Sequence, residues 1–358
     1  MKYRLGEICD VVSGGTPSRA TAEFWDGGTI PWIKIGNIQR KYVDEADEYI
    51  TQAGLEGSSA KMLSAGTILF TIFATLGEVG ILTIEACTNQ AIAGITIKNQ
   101  SDILTDYLYY FLKSQKSCIA ALGRGVAQNN INLSILRNFE VPIPDLPMQK
   151  QIVAILDKTA KVVEVRQQQL QQLDELVKAR FVELFGDGNH PHIALIDLII
   201  EGAGLSYGIV QPGDDGTGDM GVLRPVDMVD GKISTASIKY IDRSIGDGFK
   251  KTELYGDELL ITVRGTTGIT ALTDIRFNGM NVTRGIAVVR YDRNKINPVY
   301  LNAYLNTDES QRYIQEHTRG ATLQQINLSD LRVQQIMVPP LALQEQMAAF
   351  IEQTDKSK

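Results

Sequence analysis

Arg124-Gly125…Ile131-Asn132-Leu133-Ser134…Leu136-Arg137…Pro144…Gln149…Gln151 returns 195 residues later as Arg319-Gly320…Ile326-Asn327-Leu328-Ser329…Leu331-Arg332…Pro339…Gln344…Gln346. The offset holds without a gap from Arg124 to about Lys158. A period this long marks duplicated domains, because solenoid repeats recur every roughly 20–50 residues. Fainter echoes extend the match upstream. Thr67-Ile68-Leu69-Phe70-Thr71-Ile72…Gly77 matches Glu258-Leu259-Leu260-Ile261-Thr262-Val263…Gly268. Gly94-Ile95 matches Gly285-Ile286, and Trp32-Ile33-Lys34 lies opposite Val222-Leu223-Arg224. The chain is two versions of one module, and a duplicated module points to a duplicated target.

Composition leaves room for this. A chain of 358 residues divides into two domains of roughly 150 residues and a connector. Hydrophobic content of 44% and charged content of 22% are ordinary for globular domains, so each module can bury a core of its own. Cys9, Cys87 and Cys118 are odd in number and widely spaced, which argues against a disulfide framework and for a reducing cytoplasm. His190 and His192 flank Pro191 and read as a solvated loop pair, so no metal site is expected. The N-terminus runs directly into domain sequence with no charged-then-apolar leader. The most apolar window, 63–84, is broken by Thr67, Thr71, Thr75, Glu78 and glycines, and reads as two adjacent strands instead of a membrane span. Net charge is −7, opposite to the usual basic signature of a nucleic-acid binder. Acidity does not exclude DNA, since potential is local. It predicts weak non-specific affinity for the isolated chain, with a partner supplying the missing positive charge.

Pattern divides the chain into a first module (1–147), a helical spacer (148–187), a second module (188–342) and the start of a second spacer helix (343–358). Each module opens with a short apolar helix-like run (5–12; 194–200) that meets a glycine-rich loop. Strand-like runs follow at 30–38, 67–74, 79–84 and 91–97, and again at 221–228, 258–263, 268–272 and 284–290, where β-branched residues alternate with glycine punctuation. A helix with 3–4 apolar spacing comes next (106–112; 299–305). An Arg-Gly loop, a short helix capped near Ser134 or Ser329, and a strand containing Pro144 or Pro339 complete each copy. The expected fold class is α/β of the α+β type, with mixed or antiparallel sheets and no parallel βαβ alternation. From Met148 to about Phe185 there is no Gly or Pro. Ile152, Leu156, Thr159, Val163, Arg166, Leu170, Leu173 and Val177 step by four and three, the heptad seam of a coiled coil. Such a helix is roughly 55 Å long at about 1.5 Å per residue.

Catalytic signatures are missing from the sequence. There is no GxxxxGK[ST] loop for ATP and no GxGxxG opening a βαβ unit; Gly77-Glu78-Val79-Gly80 reads as a turn between strands. The Asn/Asp-Pro-Pro-aromatic signature of amino-methyltransferases, a Glu-x-Lys nuclease core, GxSxG and His-Glu-x-x-His are likewise absent. An enzyme is not the expected reading.

Leu5-Gly6-Glu7-Ile8, Ser13-Gly14-Gly15-Thr16-Pro17, Gly27-Gly28-Thr29-Ile30-Pro31-Trp32 and Gly36-Asn37-Ile38 carry a family resemblance. It continues through Thr88-Asn89-Gln90-Ala91, Ile131-Asn132-Leu133 and Pro142-Ile143-Pro144…Leu146-Pro147…Gln149…Gln151-Ile152. In their order, their duplication and the spacer between them, these segments resemble the specificity subunit of type I restriction–modification systems. The resemblance implies two target recognition domains, each reading one half of a bipartite DNA sequence, and helical spacers that set the gap and dock modification subunits. It implies that those partners are adenine methyltransferases using S-adenosylmethionine, joined by a restriction and translocase subunit using ATP and Mg²⁺. This chain would then hold no cofactor and select the address without performing the chemistry.

Two unlike readers on one rod suit two half-sites on one face of duplex DNA, about one helical turn or ~34 Å apart. Because the modules differ, the half-sites are expected to be asymmetric. Three DNA-facing clusters are expected per module. The first is Lys34, Asn37, Gln39, Arg40 and Lys41, or Arg224, Asp227 and Lys232. The second is Thr75, or Arg264, Thr266 and Thr267. The third is Arg124, Gln128, Asn129 and Asn130, or Arg319, Gln324 and Gln325. Asn and Gln suit adenine edges, Arg and Lys suit guanine, and Asp can accept from cytosine. Asn132 and Asn327 read as turn or cap residues, and Asn89 and Asn281 as partners for buried backbone.

One departure from the family pattern concerns the second spacer. After Gln344-Glu345-Gln346 the sequence runs only to Lys358, whereas the first copy continues in helix for a further 27 residues or so. On that reading Ile152, Leu156, Val163, Leu170, Leu173 and Val177 lack an intramolecular helix and recruit a modification subunit or a second copy of the chain. The competing readings are a specificity-like scaffold that regulates modification subunits, and a cleavage-competent enzyme.

Overall fold

The computed structural model describes residues 1–123, 131–186, 188–211, 213, 218–229, 231–320 and 323–358. The chain groups into two compact units, Met1–Arg166 and Gln167–Lys358. The division falls inside one helix, Leu146–Phe185.

The first unit is built on a five-stranded sheet in the order Cys9–Ser13, Ile92–Ile97, Ile68–Thr71, Val79–Leu82, Tyr42–Val43. Neighbours are antiparallel except the last pair, which is parallel. Alternation along Ile68–Thr71 divides the core between the two faces of the sheet. Ile68 and Phe70, with Ile72 beyond the strand, pack beside Leu5, Ile95, Leu108, Leu112 and Leu136. Leu69 packs in a separate cluster with Ile33, Val43, Leu63 and Leu82. A three-stranded sheet, Glu48–Ile50, Ile30–Ile33, Cys87–Thr88, adds a further layer.

The second unit repeats this logic. Ser206–Tyr207, Ile286–Val289, Leu259–Leu272 and Gln324–Gln325 form an antiparallel sheet. Lys239–Ile241, Met220–Leu223 and Asn281–Val282 form the second, mixed sheet. Leu259, Ile261 and Val263 enter one cluster with Tyr300, Leu301 and Ile314, while Leu260 enters another with Leu223, Phe277 and Val282. The run Leu259–Leu272 folds back on itself, since Thr273 N–H donates to Glu258 O (2.8 Å) and Ile269 N–H to Thr262 Oγ1 (2.9 Å). It thereby supplies both arms of the hairpin that Ile68–Thr71 and Val79–Leu82 make in the first unit.

Each unit is closed by a strand pair between its beginning and its end. Lys2–Arg4 pairs antiparallel with Glu140–Pro142, and His192–Ala194 with Gln335–Met337. Tyr107 Oη donates to Pro142 O (2.6 Å) and Tyr300 Oη to Met337 O (3.0 Å) across these closures. Behind them lies a buried glutamine in each copy. Gln149 accepts from Leu104 N–H (2.9 Å) and donates to Asp102 O (2.8 Å) and Pro144 O (2.9 Å). Gln344 accepts from Asn297 N–H (2.8 Å) and donates to Pro339 O (2.7 Å). Both side chains are 0% exposed, so each must find its partners inside the fold.

Several boundaries differ from expectation. The 5–12 run is helical only over Leu5–Ile8 and continues as the strand Cys9–Ser13. There, buried Cys9 and Val11 flank exposed Asp10, a two-residue period that a helix cannot satisfy. In the second copy the strand His192–Ala194, equivalent to Lys2–Arg4, is followed by a 3₁₀ turn, Leu195–Leu198, where the first has the helix Leu5–Ile8. Pro144 and Pro339 lie just beyond their strands, as residues without a ladder N–H do. Asn132 caps the helix Leu133–Arg137 by accepting from Ile135 N–H (2.9 Å). Asn327 occupies the same position without a side-chain bond. His192 enters a strand, and the His190 ring lies 5.9 Å from Phe185, so this pair is not simply solvated.

The helix Leu146–Phe185 matches the expected gap-free segment. Of its seam, Ile152 is half-buried, Leu156 and Val163 are exposed, and Leu170, Leu173 and Val177 are half-buried. The expectation of no intramolecular partner is corrected at one end. Val177, Phe181 and Leu184 share a cluster with Met347 and Ile351 of the helix Leu341–Asp355. Lys358 Nζ reaches Asp174 (2.8 Å) and Arg180 lies 5.8 Å from the Phe350 ring, which makes the two helices antiparallel. Among the described residues, no helix is long and apolar enough to cross a membrane.

Candidate nucleic-acid interface

The clearest convergence of expected site residues is in the second unit, at the tip of its hairpin. Arg264 is paired with Gln325 and Gly265 with Gln324. Gln325 exchanges both backbone hydrogen bonds with Arg319 (2.8 Å each). Residues directly opposite on antiparallel strands present their side chains to the same face. Arg264, Gln325 and Arg319 therefore form a row across the sheet edge, with Gln324 beside it and exposed Thr266 at the tip. Gly265 (φ +87°) and Gly320 (φ +98°) take the left-handed turns that aim these segments.

This row has little internal neutralisation. Arg319 is 3.6 Å from Asp330, whereas Arg264 has no ion-pair partner among the described residues. Arg284, exposed and likewise without such a partner among them, lies one residue before Gly285, whose carbonyl accepts from Val263 N–H (2.8 Å). Clustered like charges oppose folding, and an anion laid along them removes that penalty. Arg284 was not among the residues expected at the site. Its signal was present, since it directly precedes the repeated Gly-Ile where the first copy has Ala93.

Other expected residues have structural duties. The Asp227 side chain is fully buried and accepts from Arg224 N–H (2.8 Å), Arg224 Nη2 (2.9 Å) and Ser237 Oγ (2.9 Å). Asp227 holds the Arg224 guanidinium above its usual range, so neither group is presented for a base in this arrangement. Lys34 and Asn37 are the matching pair, with Lys34 N–H donating to Asn37 Oδ1 (2.9 Å). Lys34 Nζ also binds Glu48 (2.6 Å), whose carboxyl Lys34 and Arg19 together hold below its ordinary range. Thr267 is buried and shares a hydrogen bond with Thr318 (3.0 Å). Lys41 is 17% exposed and bridges Asp106 (2.7 Å) and Asp157 (2.6 Å). Burial lowers the affinity of its amine for a proton, but the two carboxylates outweigh it and raise the pKa. It serves as a tie between the sheet and the long helix within the first unit.

Gln39 and Arg40 remain exposed, Gln39 donating to Gly36 O (3.0 Å) and Arg40 standing 3.4 Å from Glu45. Lys232 is exposed on a short hairpin with Met228–Val229. Thr75 is exposed at the first unit's hairpin tip, next to Ala74, which has φ 58°. Phe73, also at this tip and 39% exposed, escaped the sequence reading. Arg124, Gln128, Asn129 and Asn130 lie outside the described residues. Among the described residues, no cluster of three or more His, Cys, Asp or Glu side chains could hold a metal ion.

Comparison with known proteins gives this arrangement a family. A model described as the type I restriction modification DNA specificity domain matches residues 1–175 and 219–358. The specificity subunit of the type I restriction enzyme EcoR124I/EcoR124II from Escherichia coli is 33% identical over 160 residues. That match covers 43% of this chain and 39% of the relative. The MjaIX specificity subunit from Methanocaldococcus jannaschii is 22% identical over 376 residues, covering 98% of this chain and 85% of its own. The crystal structure of a type I restriction–modification S subunit from M. genitalium shares the fold, with a TM-score of 0.59 at 15% identity, over 100% of this chain and 89% of that one.

Proposed function

The chain belongs to the type I restriction–modification DNA specificity family, and on that premise we propose that it selects a bipartite DNA site, each unit reading one half. The observation that carries this reading is the row Arg264, Gln325, Arg319, with Arg284 adjacent, at the tip of a hairpin present in both units. Guanidinium and amide groups along a sheet edge match both phosphates and the acceptor-rich edge of guanine. The first unit presents a different tip, so the two half-sites differ in sequence.

The exposed middle of the long helix supports a second assignment. Ile155, Val162 and Val163 are 59%, 62% and 52% exposed on this helix. This stretch docks modification subunits, and these carry S-adenosylmethionine and the methyl-transfer chemistry. A restriction and translocase subunit supplies ATP and Mg²⁺ chemistry. The chain itself is the non-catalytic reader, working in the cytoplasm where its DNA and partners are.

The test is to map methylated adenines in a host expressing this chain with its modification subunit. Methylation confined to one asymmetric bipartite motif, and relaxed in one half by Arg264→Ala, is the expected result. Methylation without sequence preference, or unchanged by the substitution, overturns the assignment.

A further inference from the structure

We propose that Phe73 reads the 5-methyl group of a thymine in the half-site of the first unit, at the position where the second unit uses Arg264. The inference rests on the DNA-reading assignment above and adds a residue and a base to it.

Three equivalences place Phe73 and Arg264 at one position. Thr71 Oγ1 accepts from Glu78 N–H (2.8 Å), as Thr262 Oγ1 accepts from Ile269 N–H (2.9 Å), and both threonines are buried. Ile72 O accepts from Ile131 N–H (2.9 Å), as Val263 O accepts from Ile326 N–H (3.0 Å). The next residue but one, Ala74 or Gly265, is left-handed in each case, with φ 58° and +87°. Ala74 is the one non-glycine residue with positive φ among the described residues. An L-residue takes that conformation at a cost, and it persists because the surrounding hairpin imposes it.

Phe73 therefore stands, 39% exposed, at a tip whose counterpart carries a guanidinium. A phenyl ring offers no partner to phosphate or to a donor–acceptor edge. The apolar feature that base pairs expose in the major groove is the thymine methyl, which Phe can contact. A wedge between stacked bases is the other use of an apolar side chain on DNA. Such a wedge must stand clear of its own fold, whereas Phe73 has most of its surface covered. Contact at a base edge fits this limited exposure.

The experiment selects duplexes from a randomised pool with the full chain assembled with its modification subunits, and sequences the bound fraction. Wild type is expected to fix a thymine in one half-site. F73A is expected to lose preference at that base pair alone, and F73L to keep it. Deoxyuridine in place of that thymine is expected to weaken wild-type binding about fourfold, the equivalent of one buried methyl-sized group, and to leave F73A binding unchanged. The deoxyuridine comparison in wild type needs no variant, so a folding defect in F73A leaves the test standing. A motif unchanged in F73A, or no thymine in the first half-site whose methyl matters, overturns the assignment of Phe73. If R264A also leaves every position unchanged, the DNA-reading assignment fails with it; if R264A relaxes the other half-site, only the Phe73 inference falls.

Discussion

The hairpin tips at 72–77 and 263–268 share a backbone path and an exposed threonine, and differ in the side chain placed two residues before it, Phe73 or Arg264. Each is pinned by a buried threonine that accepts from the residue seven positions on, and each turns through a left-handed residue. One shows Phe73, Ala74 and Thr75, the other Arg264, Gly265 and Thr266. The buried threonine bond is the same in both copies, while Phe73 and Arg264 at the surface differ. The lesson is a separation of labour within a few residues: the threonine and the apolar arms keep the tip in place, and the tip can then change its chemistry.

The largest expected effect strikes the basic tip. Replacing Arg264 and Arg319 by Ala together should weaken site-specific binding by on the order of a hundredfold, at roughly 1–3 kcal/mol per side chain. The slope of log affinity against log salt should fall by about one for each phosphate that is no longer neutralised. Fluorescence anisotropy across a salt series checks this. F73A must leave that slope where it was, and a slope change equal to that of the arginine pair would erase the contrast between the tips.

Next come the buried glutamines. Gln149→Ala and Gln344→Ala each strand backbone groups inside the fold, and each should destabilise its own unit by about 2 kcal/mol. Urea unfolding followed with a probe in each unit reads the two separately. A loss confined to one copy would show that the closures are not equivalent.

A smaller pair of changes should have opposite signs. Ala74→Gly relieves a left-handed L-residue and should stabilise by about 1 kcal/mol. Gly265→Ala imposes the same strain, with no atom within 4 Å of the added Cβ to confuse the cost, and should destabilise by a similar amount, about 1 kcal/mol. Thermal melts of both variants suffice, and two shifts of like sign would refute the shared backbone path.

The smallest effect belongs to the tie between Lys41 and Asp157. Burial pushes the Asp157 carboxyl up, but the hydrogen bonds from Lys41 and Tyr110 outweigh it and leave its pKa below the ordinary aspartate value. A carboxyl depressed in the folded state contributes stability above its unfolded pKa of about 4 and loses it as pH falls through the folded value. The stability gap between wild type and Asp157→Asn should therefore be open at neutral pH and close in strong acid. A gap independent of pH would remove the tie from the account.

The fold was largely legible because its strongest signals are local. A segment without Gly or Pro from Met148 announced a helix whose limits are Leu146–Phe185, and the two glutamines fell in register within the repeat. The 5–12 run was misread because a four-residue helix and a five-residue strand share it, each too short for its period to dominate. Site residues were harder. Arg319, Gln324 and Gln325 were grouped because they lie close in sequence, but Arg264 was placed in a separate cluster, and only the ladder pairing of Arg264 with Gln325 joins the two. The tie made by Lys41 was not legible either, because its partner Asp157 lies more than a hundred residues away, and no local pattern tells a lysine tied into the fold from one left free. Asp227 was legible in principle: Arg224 lies three residues before it, the spacing of a capping box, and that local bond consumes the carboxylate.

The strand pair that closes the first unit sets a schedule for making it. Lys2–Arg4 leaves the ribosome before its partner Glu140–Pro142, which follows almost a whole module later. At about 5–20 residues per second the opening strand waits roughly 7–30 s for the residues that complete its pairing. An unpaired strand is a template for wrong partners, and for that interval the charged Lys2 and Arg4 are what discourage them. The first unit is thus most exposed to error at this opening strand, during the interval before its partner is made.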